Sequence, residues 1–434
     1  MFGTSGIRGP VGETVTADLA LRVGRALGVK AERVVVGRDP RESGDVLLDA
    51  LAAGLRESGT DVIDLGMAAT PTVARAVRWE RADAGAVVTA SHNPPPDNGI
   101  KLWQPTTQAF DAPRREEIAR RIDEDVTDLR PWDAIGQRER RDAAPEHVEA
   151  ILDAVDVADP PDVILDLGNG AGGVSAEALS ALGCDFETLN AQPDGSFPGR
   201  LSEPTAEHCR SLAALAGESG VVGIAHDGDA DRMRAATEDG EFVGGDTLLA
   251  ILARDAAEPG EKIAAPLNTS LAVDDYLARD DIAVERTRVG DVSVAERASD
   301  PDVVFGGEPS GAWIWPDVAL CPDGPLAAAK LVELVAERSL SERVAEIESY
   351  PIHRDSVEVE GKAAVMERVR ERVRPTYENV TTLDGVRVDL GDGWFLLRAS
   401  GTQPLVRITA EARDPERARA IFEEASGIVT EALP

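Results

Sequence analysis

A chain of 434 residues exceeds the size at which one hydrophobic core keeps growing, so three or four domains with clefts between them are expected. Hydrophobic residues make up 43% and aromatics only 4%, which predicts a globular protein with cores of Ala, Val, Leu and Ile. A net charge of −34, from 79 acidic against 45 basic residues, argues against neutralising nucleic-acid phosphates or coating anionic membranes. The acid excess runs along the whole chain, as in proteins adapted to high internal salt. Cys184, Cys209 and Cys321 are too scattered for a disulfide framework or a zinc pattern and read as buried small hydrophobes. No basic-then-apolar leader precedes Gly3, and no apolar run approaches ~20 residues, so a cytoplasmic location is expected.

In chain order, apolar runs of period two alternate with helical periodicity in a βαβαβ pattern that recurs over residues 1–148, 149–252 and 253–349. In the first copy, strands are predicted at Val34–Arg38, Val62–Leu65 and Ala86–Thr89, with helices at Ser43–Glu57 and Pro71–Glu80, and the third strand leads to Ser91. The second copy has strands at Val163–Leu167, Phe186–Leu189 and Val221–Ala225, the last opening into His226-Asp-Gly-Asp-Ala-Asp-Arg232. The third has Lys262–Pro266, Ile282–Arg286 and Val303–Phe305, which ends in Gly306-Gly-Glu-Pro-Ser-Gly311. Residues 350–434 form a separate α+β module: a helix, a meander through Val386–Leu390, Trp394–Ala399 and Val406–Ala410, and a helix from Pro415. Linkers are expected near Ala143–Glu146, Pro160–Pro161, Glu258–Gly260 and Ser349–Pro351. Ligands of open α/β sheets sit beyond the carboxyl ends of the strands, so three equivalent loops can converge on one cleft.

Each loop has its own chemical capacity. Ser91 and His92 enter a loop stiffened by Pro94, Pro95 and Pro96, which suits a nucleophile of fixed position as well as it suits a plain turn. Asp227, Asp229 and Asp231 alternate, so their carboxylates can meet on one hard, oxygen-ligated cation, for which Mg²⁺ is favoured. An EF-hand would use the same aspartates with Glu238 in twelfth place, but Arg232 stands where it needs Gly and a strand precedes the loop. Glu308 and Ser310 can hydrogen-bond vicinal sugar hydroxyls. Arg398, Ser400, Gly401 and Thr402 supply a guanidinium, two hydroxyls and backbone N–H groups for a phosphate, and Arg407 adds charge. Gly168-Asn-Gly-Ala-Gly-Gly173 follows a strand and supports a rival reading, an NAD(P)-binding dehydrogenase, although no hydride-transfer residues accompany it.

Five motifs occur in order: Gly3-Thr-Ser-Gly-Ile-Arg-Gly9, Thr89-Ala-Ser-His-Asn-Pro94, Asp227-Gly-Asp-Ala-Asp-Arg232, Gly307-Glu-Pro-Ser-Gly311 and Arg398-Ala-Ser-Gly-Thr402. Together they resemble the α-D-phosphohexomutases over essentially the whole chain. The resemblance implies three similar α/β domains and a fourth α+β domain closing over a central cleft. It makes Ser91 the phosphoserine and a metal ligand, with His92 beside it, Asp227, Asp229 and Asp231 the Mg²⁺ ligands, and Glu308 with Ser310 the sugar contacts. Arg8 and Lys101 would flank the phosphoserine and assist proton transfer, Arg232 and Arg288 would approach the substrate, and Arg398, Ser400, Gly401, Thr402 and Arg407 would hold its non-reacting phosphate. The implied reaction moves phosphate between the 6- and 1-positions of a hexose or hexosamine phosphate through a sugar bisphosphate. Ala312 stands where many relatives place a His, which leaves the general base open. The run Gly307-Glu-Pro-Ser-Gly-Ala-Trp313, followed by Cys321-Pro-Asp-Gly324, is most similar to archaeal members acting on glucosamine phosphate, with glucose or mannose phosphate as the alternatives.

Overall fold

The computed structural model describes residue 3, residues 6–401 and residues 403–433. Its first sheet contains β1 (Ile7–Pro10), β2 (Arg33–Arg38), β3 (Asp61–Met67), β4 (Ala84–Val88), β5 (Asp97–Trp103) and β6 (Arg138–Arg140), in the order β1-β5-β4-β2-β3-β6. The second holds β7 (Val163–Asp166), β8 (Phe186–Leu189), β9 (Val222–His226) and β10 (Met233–Ala236), ordered β10-β9-β7-β8. The third holds β11 (Lys262–Pro266), β12 (Ala283–Thr287), β13 (Val303–Gly307) and β14 (Trp313–Ile314), ordered β12-β11-β13-β14.

One topology underlies all three. The first, second and third strands of each repeat are parallel, and a fourth returns antiparallel beside the third. In the centre of the first sheet, Val34, Val35 and Val36 are fully buried, as expected for a parallel strand covered on both faces. The nine repeat strands read from the sequence are present within a few residues. The returning strands β5, β10 and β14 were not predicted, because their apolar signal is weak: β5 begins Asp-Asn-Gly, β10 is Met-Arg-Ala-Ala, and β14 has two residues. Their presence turns each chemically active loop into a hairpin connection, fixed by ladder bonds at both ends.

The second and third units share a core in which Leu165, Ile224, Leu248, Ile263, Phe305 and Leu331 meet. Expected boundaries after 148 and 252 fall inside helices Ala144–Leu152 and Gly245–Ala256, and the linker expected at Ala143–Glu146 is the start of the former. Those helices pack on their neighbours Gly173–Leu182 and Leu271–Leu277, so each belongs with the unit that follows it.

The fourth sheet is antiparallel, with β15 (Ile352–Glu358), β16 (Val380–Thr381), β17 (Val386–Asp389), β18 (Gly393–Ala399) and β19 (Leu405–Ala412) in the order β15-β19-β18-β17-β16. Helices Lys362–Val373 and Pro415–Ala432 cover one face, burying Val369 and Ile421 against Phe395, Leu397 and Ile408. On the other face Trp394 and Leu396 pack on Leu267 and Leu271 of the third unit. Strand β15, Ile-His-Arg-Asp-Ser-Val-Glu, is an edge strand too polar to read from its sequence. The three cysteines are buried free thiols. No helix among the described residues is long and apolar enough to cross a membrane.

Candidate active site

Ser91 lies just past β4 and is buried, with φ of 49°, a left-handed conformation that a non-glycine residue holds only when its surroundings fix it. Its N–H donates to Thr89 Oγ1 at 2.8 Å, and Thr89 Oγ1 donates to Asp39 Oδ2 at 2.7 Å. Arg41 staples the rest of the loop. Its Nε donates to Asp39 Oδ2 (2.9 Å), its Nη1 to the carbonyls of Pro94 (2.7 Å) and Asp97 (2.8 Å), and its Nη2 to those of Ser91 (2.9 Å) and Asn93 (2.6 Å). Burial pushes the Asp39 carboxyl up to about 6 despite Arg41.

The aspartate loop joins β9 to β10, with Ala230 at φ 56°. Asp227, Asp229 and Asp231 are buried and each offers an oxygen, all within 4.8 Å of one another. Ser91 Oγ donates to Asp227 Oδ2 at 2.6 Å, so the first two loops touch through the residues that matter. Asp229 Oδ2 accepts from Thr70 Oγ1 at 2.6 Å, whereas its Oδ1 is buried without a hydrogen-bond partner. Burial, then repulsion by Asp231 and Asp229, drives the Asp227 carboxyl well above the ordinary carboxylate range; burial and Asp229 push Asp231 up to about 6. Two acids pushed up by burial and mutual repulsion, beside a third with an orphaned oxygen, fit a divalent cation with oxygen ligands.

Two supports were not foreseen. Ser202 Oγ donates to the carbonyl of Ser91 (2.8 Å) and accepts from Gly228 N (2.9 Å), tying the two loops together. The glycine-rich turn lies under the aspartates: Ala171 N donates to Gly228 O at 2.9 Å, and a Cβ on Gly170 would stand 2.8 Å from the carbonyls of Asp227 and Gly228. Close backbone approach therefore accounts for Gly170, and a left-handed φ of 58° for Gly168, without a dinucleotide. Glu238 lies beyond β10, where it accepts from Ser341 N at 3.1 Å.

Lys101, on β5, is buried over the Trp103 ring, with Nζ 2.6 Å from Asp291 Oδ2 and 3.7 Å from Asp231. Burial opposes its charge, but Asp291 and Asp231 outweigh it and hold Lys101 above its ordinary value. Burial likewise opposes ionisation of Asp291, and Lys101 outweighs that, holding Asp291 below the ordinary carboxylate range. Glu308 Oε1 accepts from Gly290 N (2.8 Å) and its Oε2 from Ser310 Oγ (3.3 Å); burial, then Asp291, raises its carboxyl. His92 Nδ1 is 3.4 Å from Ser91 Oγ, and burial, with Arg232, Arg8 and Arg41, lowers its ring to about 2, so it is neutral.

These groups line one cleft of about 390 Å³, reached by Arg8, Ser91, Lys101, Asp231, Glu308 and Arg407. His92, Arg232, Ser310 and Ala312 also face it. Arg398 lines an adjoining cleft of about 460 Å³ on the fourth sheet, which shares Asn268 and Arg407 with the first. In the same loop Gln403 N donates to Ser400 Oγ at 3.3 Å, Gly401 is exposed, and Lys362 Nζ binds the carbonyls of Ser400 (2.5 Å) and Gln403 (3.2 Å). Thr402 lies outside the described residues. Arg288 borders neither cleft; its neighbours Val289, Gly290 and Asp291 do. A larger chamber of about 1290 Å³, against Arg75, Trp79 and Trp315, carries none of the three loops. Arg41 and Asp291 were missed, although each sits in a polar run at a strand's carboxyl end, Gly37-Arg-Asp-Pro-Arg41 and Arg288-Val-Gly-Asp291.

Four family profiles match the chain: phosphoglucomutase/phosphomannomutase alpha/beta/alpha domain I over residues 1–128, domain II over 145–240, domain III over 244–350 and the C-terminal domain over 356–427. A probable phosphoglucosamine mutase of Methanopyrus kandleri is 46% identical, covering 99% of this chain and 97% of that protein. One from Methanosarcina acetivorans is 47% identical, covering 100% and 99%. The crystal structure of a phosphoglucomutase/phosphomannomutase family protein from Burkholderia thailandensis superposes with a TM-score of 0.88 at 28% identity, covering 100% of this chain and 99% of that one.

Proposed function

The chain belongs to the phosphoglucomutase/phosphomannomutase family, and on that premise we propose that it is a cytoplasmic phosphoglucosamine mutase that interconverts glucosamine 6-phosphate and glucosamine 1-phosphate. The observation that carries this reading is the buried, strained Ser91, whose Oγ is held 2.6 Å from Asp227 inside a loop stapled by Arg41. A serine so fixed, facing three carboxylates, suits a phosphate carrier better than a turn.

Ser91 starts phosphorylated. A sugar hydroxyl attacks phosphorus, the P–Oγ bond breaks, and the sugar becomes a bisphosphate. The bisphosphate turns end for end, and its other phosphate returns to Ser91 Oγ. Serine and sugar alkoxides are similar leaving groups, so neither transfer is strongly downhill. Lys101, kept charged by Asp291, stabilises Oγ as it departs. The proton of the attacking hydroxyl passes to Glu308, the cleft carboxylate whose basicity burial raises, which does the work of a base where Ala312 replaces the expected His, while Asp291 stays ionised beside Lys101. Asp227, Asp229 and Asp231 would hold Mg²⁺, with the Ser91 oxygen beside it. The cation supplies charge that offsets the moving phosphoryl group. Glu308 and Ser310 orient the sugar, Arg8 and Arg232 flank the reacting phosphate, and Arg398 with Arg407 grips the distal one.

The product would feed nucleotide-sugar synthesis such as that of UDP-N-acetylglucosamine, and the similarity to archaeal proteins supports glucosamine over glucose or mannose. Side-by-side rates on the 6-phosphates of the three sugars test the choice: glucosamine should give the highest kcat/KM, and a tenfold preference for another sugar would overturn it. Ser91→Ala should abolish turnover even with added glucosamine bisphosphate.

A further inference from the structure

The helix-free face of the fourth sheet carries Arg354, Arg398 and Arg407 in register, and a fourth arginine, Arg387, which is buried on the Trp394 ring with its guanidinium donating to the carbonyl of Leu267 and stays out of the cleft. Arg398 stands opposite Arg407, and Arg407 opposite Ser356; in the next row Leu396 stands opposite Thr409, and Thr409 opposite Arg354. Residues opposite one another in an antiparallel ladder, and alternate residues along a strand, share a face. Arg354, Arg398 and Arg407 therefore project from the same side of β15, β18 and β19. One row farther on, that side carries Trp394 and Glu411. There Glu411 accepts from Ser270 Oγ (2.5 Å), Leu271 N (2.8 Å) and Trp394 Nε1 (2.7 Å), docking the fourth unit on the third. Beyond the dock the face opens, and all three arginines line the cleft of about 460 Å³ that meets the Ser91 cleft at Asn268 and Arg407.

Like charges on neighbouring strands repel, and little on the protein offsets them. Asp384 is 3.4 Å from Arg398. Asp355, beside Arg354, has the opposite strand parity and accepts from Ser356 N at 2.7 Å. Asp246 feels the charge of Arg354, yet its Oδ1 accepts from Ser270 N at 2.8 Å, and it forms no ion pair with Arg354. Three guanidiniums with one near carboxylate leave about two positive charges, the complement of a phosphate monoester dianion. The loop Arg398–Thr402 with Arg407 does not account for Arg354, which arrives on an edge strand far away in sequence.

We propose that Arg354 is a third guanidinium ligand of the phosphate that the fourth unit grips. The identity of that ligand as a sugar phosphate rests on the mutase reading above. The test compares wild type, Arg354→Gln and Arg354→Lys in the full chain, by steady-state turnover of glucosamine 6-phosphate and by calorimetric titration with inorganic phosphate. Arg354→Gln should lower kcat/KM about ten- to a hundredfold, mostly through KM, and weaken phosphate binding in parallel, as expected for loss of a charge-assisted contact. Arg354→Lys should recover part of both, since it keeps the charge and loses the fork. Unchanged KM and unchanged phosphate affinity in Arg354→Gln would overturn the proposal. So would a lower melting temperature with unchanged KM, which would make Arg354 a docking partner of Asp246. If wild type turns over no sugar phosphate, the mutase reading fails, and the phosphate titration still decides the role of Arg354.

Discussion

Arg41 shows how a single buried side chain governs the position of the proposed nucleophile. Its side chain and that of Asp39 are fully buried, and its guanidinium holds four carbonyls of the Ser91 loop. Removing it strands a buried carboxyl and frees the loop, so Arg41→Ala should cost about 3–5 kcal/mol in urea unfolding and lower kcat far more than KM. Arg41→Lys should recover little, because one ammonium cannot reach four carbonyls. The aspartates predict a pH dependence. With no cation bound, Asp231 titrates near 6 in the folded protein, above its ordinary value of 3.8. A raised pKa contributes stability that is present below about pH 4 and lost as pH rises through about 6. Mg²⁺ would bind the ionised trio, so it should raise the melting temperature more at pH 7.5 than at pH 5. Equal increments at both values in a thermal-shift series would argue against a site on these carboxylates.

At the scale of elements, the decisive feature is a loop closed by a returning antiparallel strand, repeated as β4–β5, β9–β10 and β13–β14. Parallel strands buried on both faces announce themselves as runs such as Val34-Val35-Val36, so the repeat and the placement of Ser91, Asp227 and Glu308 at equivalent loops were legible in the sequence. The returns were not, because their stability comes from pairing with the third strand and not from composition. Residues that act through backbone carbonyls across long sequence separations, Arg41 and Ser202, carry no local signature either. Asp291 stands three residues after Arg288, and only the geometry shows which of the two faces the cleft. The turn Gly168–Gly173 shows how a motif can mislead: its pattern suits a dinucleotide, while its backbone supports the aspartate loop. Gly170→Ala should push the carbonyls of Asp227 and Gly228 and weaken Mg²⁺ binding, measured by calorimetry, with no NAD(P) binding in either protein.

Across the whole molecule, four sheets bring one loop or face each to a shared cleft, and the fourth is docked by Glu411 and Trp394 on the third. In the proposed reaction, grip on the distal phosphate would come from a unit that contributes nothing to the serine loop, an arrangement suited to holding either end of a bisphosphate while it turns. The charge of −34 bears on the same assembly, since self-repulsion between acidic units is screened only by salt. Melting temperature and activity should both rise from 0.1 M toward molar KCl, within roughly the range where the Debye length falls from ~10 to ~3 Å; a flat profile would refute salt adaptation. The central claim is that Ser91 carries and returns phosphate. Protein labelled with ³²P by a trace of labelled bisphosphate should hold the label on Ser91 and pass it to unlabelled glucosamine 6-phosphate, giving labelled bisphosphate at a rate matching turnover. Label retained on the protein during turnover, or located on another residue, would contradict the account.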